Sequence, residues 1–151
     1  MRVVIQRVKQ SSVTINGEKV ASIEKGLMIL LGIEPADTSA DVDYLCGKVA
    51  RLRIFDDENG VMNKSVCDVG GELLVVSQFT LFAQTSRGNR PSYIRAARPE
   101  IAIPLYEEFV QKIESVSGIT PQTGQFGAMM DVELINDGPV TIIIDSKMKE
   151  F

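Results

Sequence analysis

The sequence predicts one mixed α/β domain of the α+β type over residues 1–151, a curled, barrel-like β-sheet core with two helices packed outside it. Three observations predict it. Apolar residues alternate from the N-terminus and run into a hairpin signal, two segments carry apolar residues at helical spacing, and strand-like runs lie before, between and after those segments. No repeat, linker or low-complexity tract divides the 151 residues, and a chain of that length can bury most of its unfolded surface in one core.

Val3, Ile5, Val8, Val13 and Ile15 alternate up to Asn16-Gly17, a pair suited to a two-residue turn, so strands are expected on both sides of it. After Val20 to Ile23 and a turn at Lys25-Gly26, Leu27 to Ile33 reads as a strand buried on both faces and closed by Glu34-Pro35. Thr38-Ser39-Ala40-Asp41 resembles a capping box with Asp in the last place, and Val42, Leu45, Cys46, Val49 and Leu52 follow as one helical stripe. Asp56 to Gly60 lacks the alternating ligands of a calcium loop and reads as a solvated acidic turn. Leu73 to Val76 is a further strand, running into Ser77-Gln78-Phe79-Thr80-Leu81.

Gln84 to Arg98 holds Arg87, Arg90, Arg95 and Arg98 among few apolar residues, the pattern of a long exposed basic loop. Pro99 and Glu100 open a second helix with Ile101, Leu105, Phe109, Val110 and Ile113 as its apolar face; Pro104 either kinks it or marks its start, and Gly118 ends it. Val132 to Ile135 suggests a strand, Asp137-Gly138-Pro139 a turn, and Val140 to Ile144 a last, fully buried strand.

Composition narrows the chemistry. With no histidine among the 151 residues, Ser-His-Asp and Cys-His nucleophile pairs, imidazole metal sites and the commonest neutral-pH base are all excluded. Cys46 and Cys67 are too few for a disulfide framework and are expected to be buried structural thiols. A net charge of −4 argues against coating long nucleic acid, though not against gripping one terminus. No apolar run is long enough to cross a membrane and the opening turns polar too early for a signal peptide, so a cytoplasmic location is expected.

Ser77-Gln78-Phe79-Thr80-Leu81 and Asn136-Asp137-Gly138-Pro139-Val140-Thr141 stand out, together with Met1 to Val8, Leu52 to Phe55, Met62-Asn63 and Asp68 to Val76. In that order and spacing these segments resemble the D-aminoacyl-tRNA deacylase family over almost the whole chain. The resemblance implies an esterase that releases free amino acid from D-aminoacyl-tRNA and uses neither metal nor organic cofactor. Its partners would be the aminoacylated tRNA 3′ end and a second copy of the chain, in a homodimer.

The same resemblance assigns residues. Gly138 and Pro139 would form a Gly-cisPro element whose carbonyl oxygens enter the partner's pocket and reject L-amino acids, with Arg7 fixing the dipeptide. Backbone N–H groups near Ser77, chiefly those of Gln78 and Phe79, would form the oxyanion hole. Phe126 and Met130 would flank the terminal adenosine, although both also suit a plain core, and Met129 stands where the family pattern has an aspartate. Thr80 has no histidine to activate it, so water assisted by the ribose 2′-hydroxyl is the expected nucleophile and Thr80 an orienting group. Glycyl-tRNA, with no side chain to reject, is expected to pass the filter. The alternatives are a non-catalytic dimeric module that binds a nucleotide or nucleic-acid terminus, and a peptidase or general esterase using Thr80 or Ser77.

Overall fold

The computed structural model describes residues 1–150, and its sheet is organised around one long strand. β1 (Arg2–Ile15) pairs antiparallel along one edge with β3 (Gly26–Gly32) and then with β2 (Glu18–Ile23). Its other edge is covered by β8 (Asp131–Asp145). β3 continues in parallel to β6 (Glu72–Ser77), which takes the short β7 (Gln122–Thr123) on its far side. β2 returns into contact with β6 and β7, so the mixed sheet nearly closes into a barrel. The Asn16-Gly17 signal is realised with φ of 51° and 78°, the left-handed pair that matches the twist of a tight hairpin.

Alternation along β3 and β6 explains why both strands look apolar throughout. Leu27, Ile29, Leu73 and Val75 face the helices, in a core shared with Ile5, Leu45 and Phe109. Met28, Leu74 and Val76 point the other way, into a second core with Val8, Val13 and Ile23 inside the curl.

α1 (Ser39–Arg51) and α2 (Pro99–Ser117) pack against one another over the first core. At the start of α1 the Thr38 hydroxyl accepts the Ala40 N–H at 3.3 Å and the Asp41 carboxylate accepts the Thr38 N–H at 2.9 Å, a reciprocal cap that contributes about 1 kcal/mol. Cys46 lies on the buried stripe, where burial pushes its thiol up to about 12 and keeps it inert. Cys67, in contrast, is exposed, so the expectation of two buried thiols holds for one of them.

α2 begins at Pro99, continues through Pro104 and ends on Gly118 at φ 73°. Its buried stripe is Ala102, Tyr106, Phe109 and Ile113, whereas Ile101 is 40% exposed. The expected face was therefore wrong in phase near the N-terminus: the small Ala102, not Ile101, meets the sheet, one turn ahead of Tyr106.

Two further findings concern loops, the first bearing out the solvated acidic turn and the second a correction. The acidic turn joins β4 (Phe55–Asp56) to β5 (Met62–Lys64), a hairpin too short for periodicity to reveal. There the N–H groups of Val61 and Asn59 bond to Asp57 and hold its carboxyl below the usual range. More consequentially, residues 131–145 form one continuous strand instead of a strand, a turn and a buried strand. Its register against β1 shifts between Gln6, which faces Thr141, and Val8, which faces Asn136, so residues 137–140 bulge out opposite Arg7. Beyond the bulge only Val140 is fully covered before Asp145, and Ile143 is 42% exposed, because β8 has a sheet neighbour on one edge only.

The α-ammonium of Met1 lies buried between Asp37 Oδ1 at 2.5 Å and Ser146 Oγ at 3.0 Å, and Lys147 reaches Asp37 and Asp41 from the surface. This cluster ties the start of β1 and the end of β8 to the start of α1. Among the described residues no helix is long and apolar enough to cross a membrane.

Candidate active site

β6 carries apolar residues up to Val76 and then stops, because Ser77 and Gln78 lead the backbone into a 3-10 turn over Phe79–Phe82. Gly32 at the end of β3 permits this turn to fold close: a Cβ there would lie 2.9 Å from Leu81 Cβ and 3.2 Å from the Gln78 carbonyl oxygen. Beneath the turn opens a cavity of about 410 Å³. Ser77, Gln78, Phe79 and Thr80 form one wall of it, and Phe126 and Met130 lie on another. All six pocket residues expected from the sequence thus converge on one space.

Each is held from behind. Phe126 packs at 5.8 Å between ring centroids against Tyr106, whose hydroxyl donates to the Val75 carbonyl and whose burial pushes its pKa up to about 12. Met130 lies close to Gly124, where a Cβ would come within 2.5 Å of its sulfur, and packs on the inner core. Met129 also borders the cavity but is 91% exposed, so the residue that departs from the family pattern stands at the mouth and leaves the floor intact.

Among the described residues, none that lines the cavity carries an ionisable side chain. The Thr80 hydroxyl accepts a hydrogen bond from the Gln78 side-chain amide, a group that cannot remove a proton. The backbone donors need one correction. The Gln78 N–H is already donated to the Leu31 carbonyl at 2.8 Å, as the last rung between β6 and β3, and is not free for an oxyanion. The next two N–H groups, of Phe79 and Thr80, open the 3-10 turn, and among the described residues neither has an acceptor.

Gly138, Pro139 and Arg7 do not border this cavity. They form a second cluster at the bulge of β8, where Gly138 and Pro139 are exposed and their peptide bond is cis. The buried Arg7 donates to the Asp137 carbonyl at 3.0 Å and to the Ile54 carbonyl at 2.6 Å, with the Asp137 and Asp56 carboxylates at 3.5 and 3.6 Å. Asn136 closes the bulge from the other side, its side-chain oxygen accepting the Val140 N–H at 2.8 Å. Gly138 has φ 133°, and a Cβ on it would approach Val140 Cγ2 to 2.8 Å, so only glycine suits the position.

Sequence reasoning missed the small side chains that make the space. Ala97, anchored by its N–H to the Ile33 carbonyl at 2.8 Å, and Ala102 on α2 both line the cavity, and an alanine carries no chemical signal to single it out. Asn136 as the staple of the bulge was legible in principle, since a side-chain amide four residues before a backbone N–H is a common local bond.

A family model described as D-Tyr-tRNA(Tyr) deacylase matches residues 4–145. D-aminoacyl-tRNA deacylases of Flavobacterium johnsoniae and of Bacteroides fragilis strain YCH46 are each 61% identical over 150 residues, covering 99% of this chain and 100% of theirs. Among solved structures, the c-Myc DNA Unwinding Element Binding Protein is 40% identical with a TM-score of 0.89, over 96% of this chain and 98% of its own. A probable eukaryotic D-amino acid tRNA deacylase shares the fold at TM-score 0.81 and 16% identity, over 95% and 97% of the two chains. With a match that spans nearly every strand and helix described above, the chain belongs to the D-Tyr-tRNA(Tyr) deacylase family, a family of hydrolases.

Proposed function

We propose that the hydrolysis of D-aminoacyl-tRNA takes place in the cavity beneath Phe79 and Thr80, and that the exposed Gly138-Pro139 of a second copy completes it in a cytoplasmic homodimer. The observation that carries this reading is a division of labour within the chain: a pocket whose described lining residues carry no ionisable side chain, and a buttressed, exposed backbone element that its own pocket does not use.

An aminoacyl ester is reactive enough that placement of water and stabilisation of the tetrahedral oxygen account for most of what a catalyst must add. The unpaired N–H groups of Phe79 and Thr80 suit the oxyanion, in place of the Gln78 donor. None of the described pocket residues carries a basic side chain to take a proton from the attacking water, so the placement of that water is assigned to the adenosine 2′-hydroxyl, with Thr80 orienting through Gln78. Phe126 and Met130 flank the adenine. Discrimination needs a surface in the path of the L side chain, and main-chain carbonyl oxygens at 138–139, braced by Arg7 and Asn136, cannot rotate away. A glycyl ester has nothing for that surface to reject and should be cleaved.

The test is release of free amino acid from D-tyrosyl-tRNA, L-tyrosyl-tRNA and glycyl-tRNA, with a D-tyrosyl-tRNA ending in 2′-deoxyadenosine as the fourth substrate. The reading expects cleavage of the first and third, and little of the second and fourth. Sparing of glycyl-tRNA would remove the steric filter, and normal turnover of the deoxy substrate would remove the ribose from the mechanism. A second reading, a non-catalytic binding module for a nucleic-acid end, draws its support from the name of the 40% identical DNA-binding relative; binding of the D-substrate without turnover would favour it.

A further inference from the structure

The mouth of the cavity carries an aromatic pair that the reaction itself does not use. Phe79, a wall residue, is 55% exposed, and Tyr93 beside it is 39% exposed. Their rings meet edge to face, with centroids 5.2 Å apart and planes at 79°, an arrangement in which at most one face of one ring is covered by the other. The position of Tyr93 is fixed by the paired backbone bonds between Gln84 and Ser92, at 2.8 and 3.0 Å, which close residues 85–91 into a hairpin loop immediately before it. The tip of that loop bears Arg87 and Arg90, both exposed. Arg95 differs: its guanidinium lies 3.6 Å from Glu34 and over the Phe82 ring, so it is already engaged.

We propose that the Phe79–Tyr93 pair is a stacking platform for the unpaired nucleotide that precedes the terminal adenosine, with Arg87 and Arg90 alongside its phosphates. The proposal rests on the deacylase reading above, which places the terminal adenosine in the adjoining cavity. Single-stranded nucleic acid is held by this combination of exposed aromatic faces and neighbouring cations, since every base has a face to stack and every linkage a charge to neutralise. The chain as a whole is acidic, at −4, so two exposed arginines on the loop that leads into Tyr93 favour a short single strand over a long duplex.

The experiment compares the wild-type protein, Tyr93→Ala and Tyr93→Phe on two substrates: D-tyrosyl-tRNA, and the minimal ester D-tyrosyl-adenosine, which has no preceding nucleotide. Tyr93→Ala should lose about tenfold in kcat/KM on the tRNA, the usual size of one lost base–aromatic stack, and keep its rate on the minimal ester. Tyr93→Phe, which retains the ring face, should match the wild type on both. Equal loss on both substrates would make Tyr93 a mere support for Phe79, and no loss on the tRNA would leave the platform unused; either overturns the proposal. A change in the oligomeric state of Tyr93→Ala relative to the wild type would assign the ring to contact with a second copy instead, and overturns it as well. If Tyr93→Ala melts early, Tyr93→Ser provides the same comparison. Wild-type protein inert on both esters defeats the deacylase reading itself, whereas an active wild type with an unaffected Tyr93→Ala defeats the platform alone.

Discussion

The cavity under the 3-10 turn and the bulge of β8 are built to opposite plans. The cavity is walled largely by apolar side chains, three alanines among them, and its polar groups are the uncharged side chains of Ser77, Gln78 and Thr80 and the backbone N–H groups of Phe79 and Thr80. The bulge is exposed at Gly138 and Pro139, on a backbone that Arg7 and Asn136 hold in place. The difference teaches that the two clusters of one chain are separate in space, and on the proposed function they are the two halves of a site that a second copy would join.

Arg7→Ala should break the comparison most severely. It frees the Asp137 carbonyl and leaves the Ile54 carbonyl without its donor. We expect a stability loss of about 2 kcal/mol, seen in thermal melts, and roughly a hundredfold fall in kcat/KM on D-tyrosyl-tRNA. Gly138→Ala acts on the bulge alone. The strained φ and the contact with Val140 should distort the bulge and reduce D-substrate turnover about tenfold, and should lower the melting temperature by a few degrees, the effect of about 1–3 kcal/mol of backbone strain. A variant that melts normally and works normally would show that the bulge takes no part.

Thr80→Ala tests the cavity and should cost less than about tenfold in kcat, since Thr80 only orients through Gln78. A loss beyond about a thousandfold with the fold intact would point to a threonine nucleophile.

The smallest effect concerns the cluster outside both regions. Burial opposes the charge on Asp41, but bonds from Ser146 and Thr38 together with Lys147 outweigh it and bring the carboxyl down to about 2. Because that folded value lies below the unfolded one, the contribution is present above about pH 4 and lost as pH falls towards 2, roughly 1–2 kcal/mol after solvent screening. Thermal melts of Asp41→Asn should therefore differ from the wild type near neutrality and converge in acid. Lys147 is shifted the other way, upward: burial would lower it, but its bond to Asp37 and the charges of Asp37, Asp41 and Glu34 dominate. Its contribution is complete below the ordinary lysine range and is lost only in strong alkali.

Much of this was legible in the sequence wherever local chemistry decides structure. Asn16-Gly17, the Thr38 cap and the Pro99 and Gly118 ends of α2 all use residues whose backbone preferences are specific. Reading failed where long-range packing decides. Val140 to Ile144 has the composition of a buried strand, yet β8 lies at an edge with Ile143 partly bare, because no periodicity reports what a second molecule would cover. Similarly, the phase of α2 turned on Ala102, which packs by being small. At the site, Ser77 to Thr80 drew notice as polar residues ending an apolar strand, but the commitment of the Gln78 N–H to Leu31 depends on β3 and β6 being parallel neighbours. Pairing of that kind leaves no local trace.

The central claim, that one molecule's bulge completes another's cavity, can be tested directly by complementation. Gly138→Ala damages the bulge and spares the cavity; Ala97→Trp fills the cavity and spares the bulge. Each protein alone should be poorly active on D-tyrosyl-tRNA. Co-expressed in equal amounts, half of the dimers would be mixed and each would hold one intact composite site, so deacylation should recover to about a quarter of the wild-type rate. Mixed dimers that form but recover nothing would contradict the account and place the whole site within a single chain.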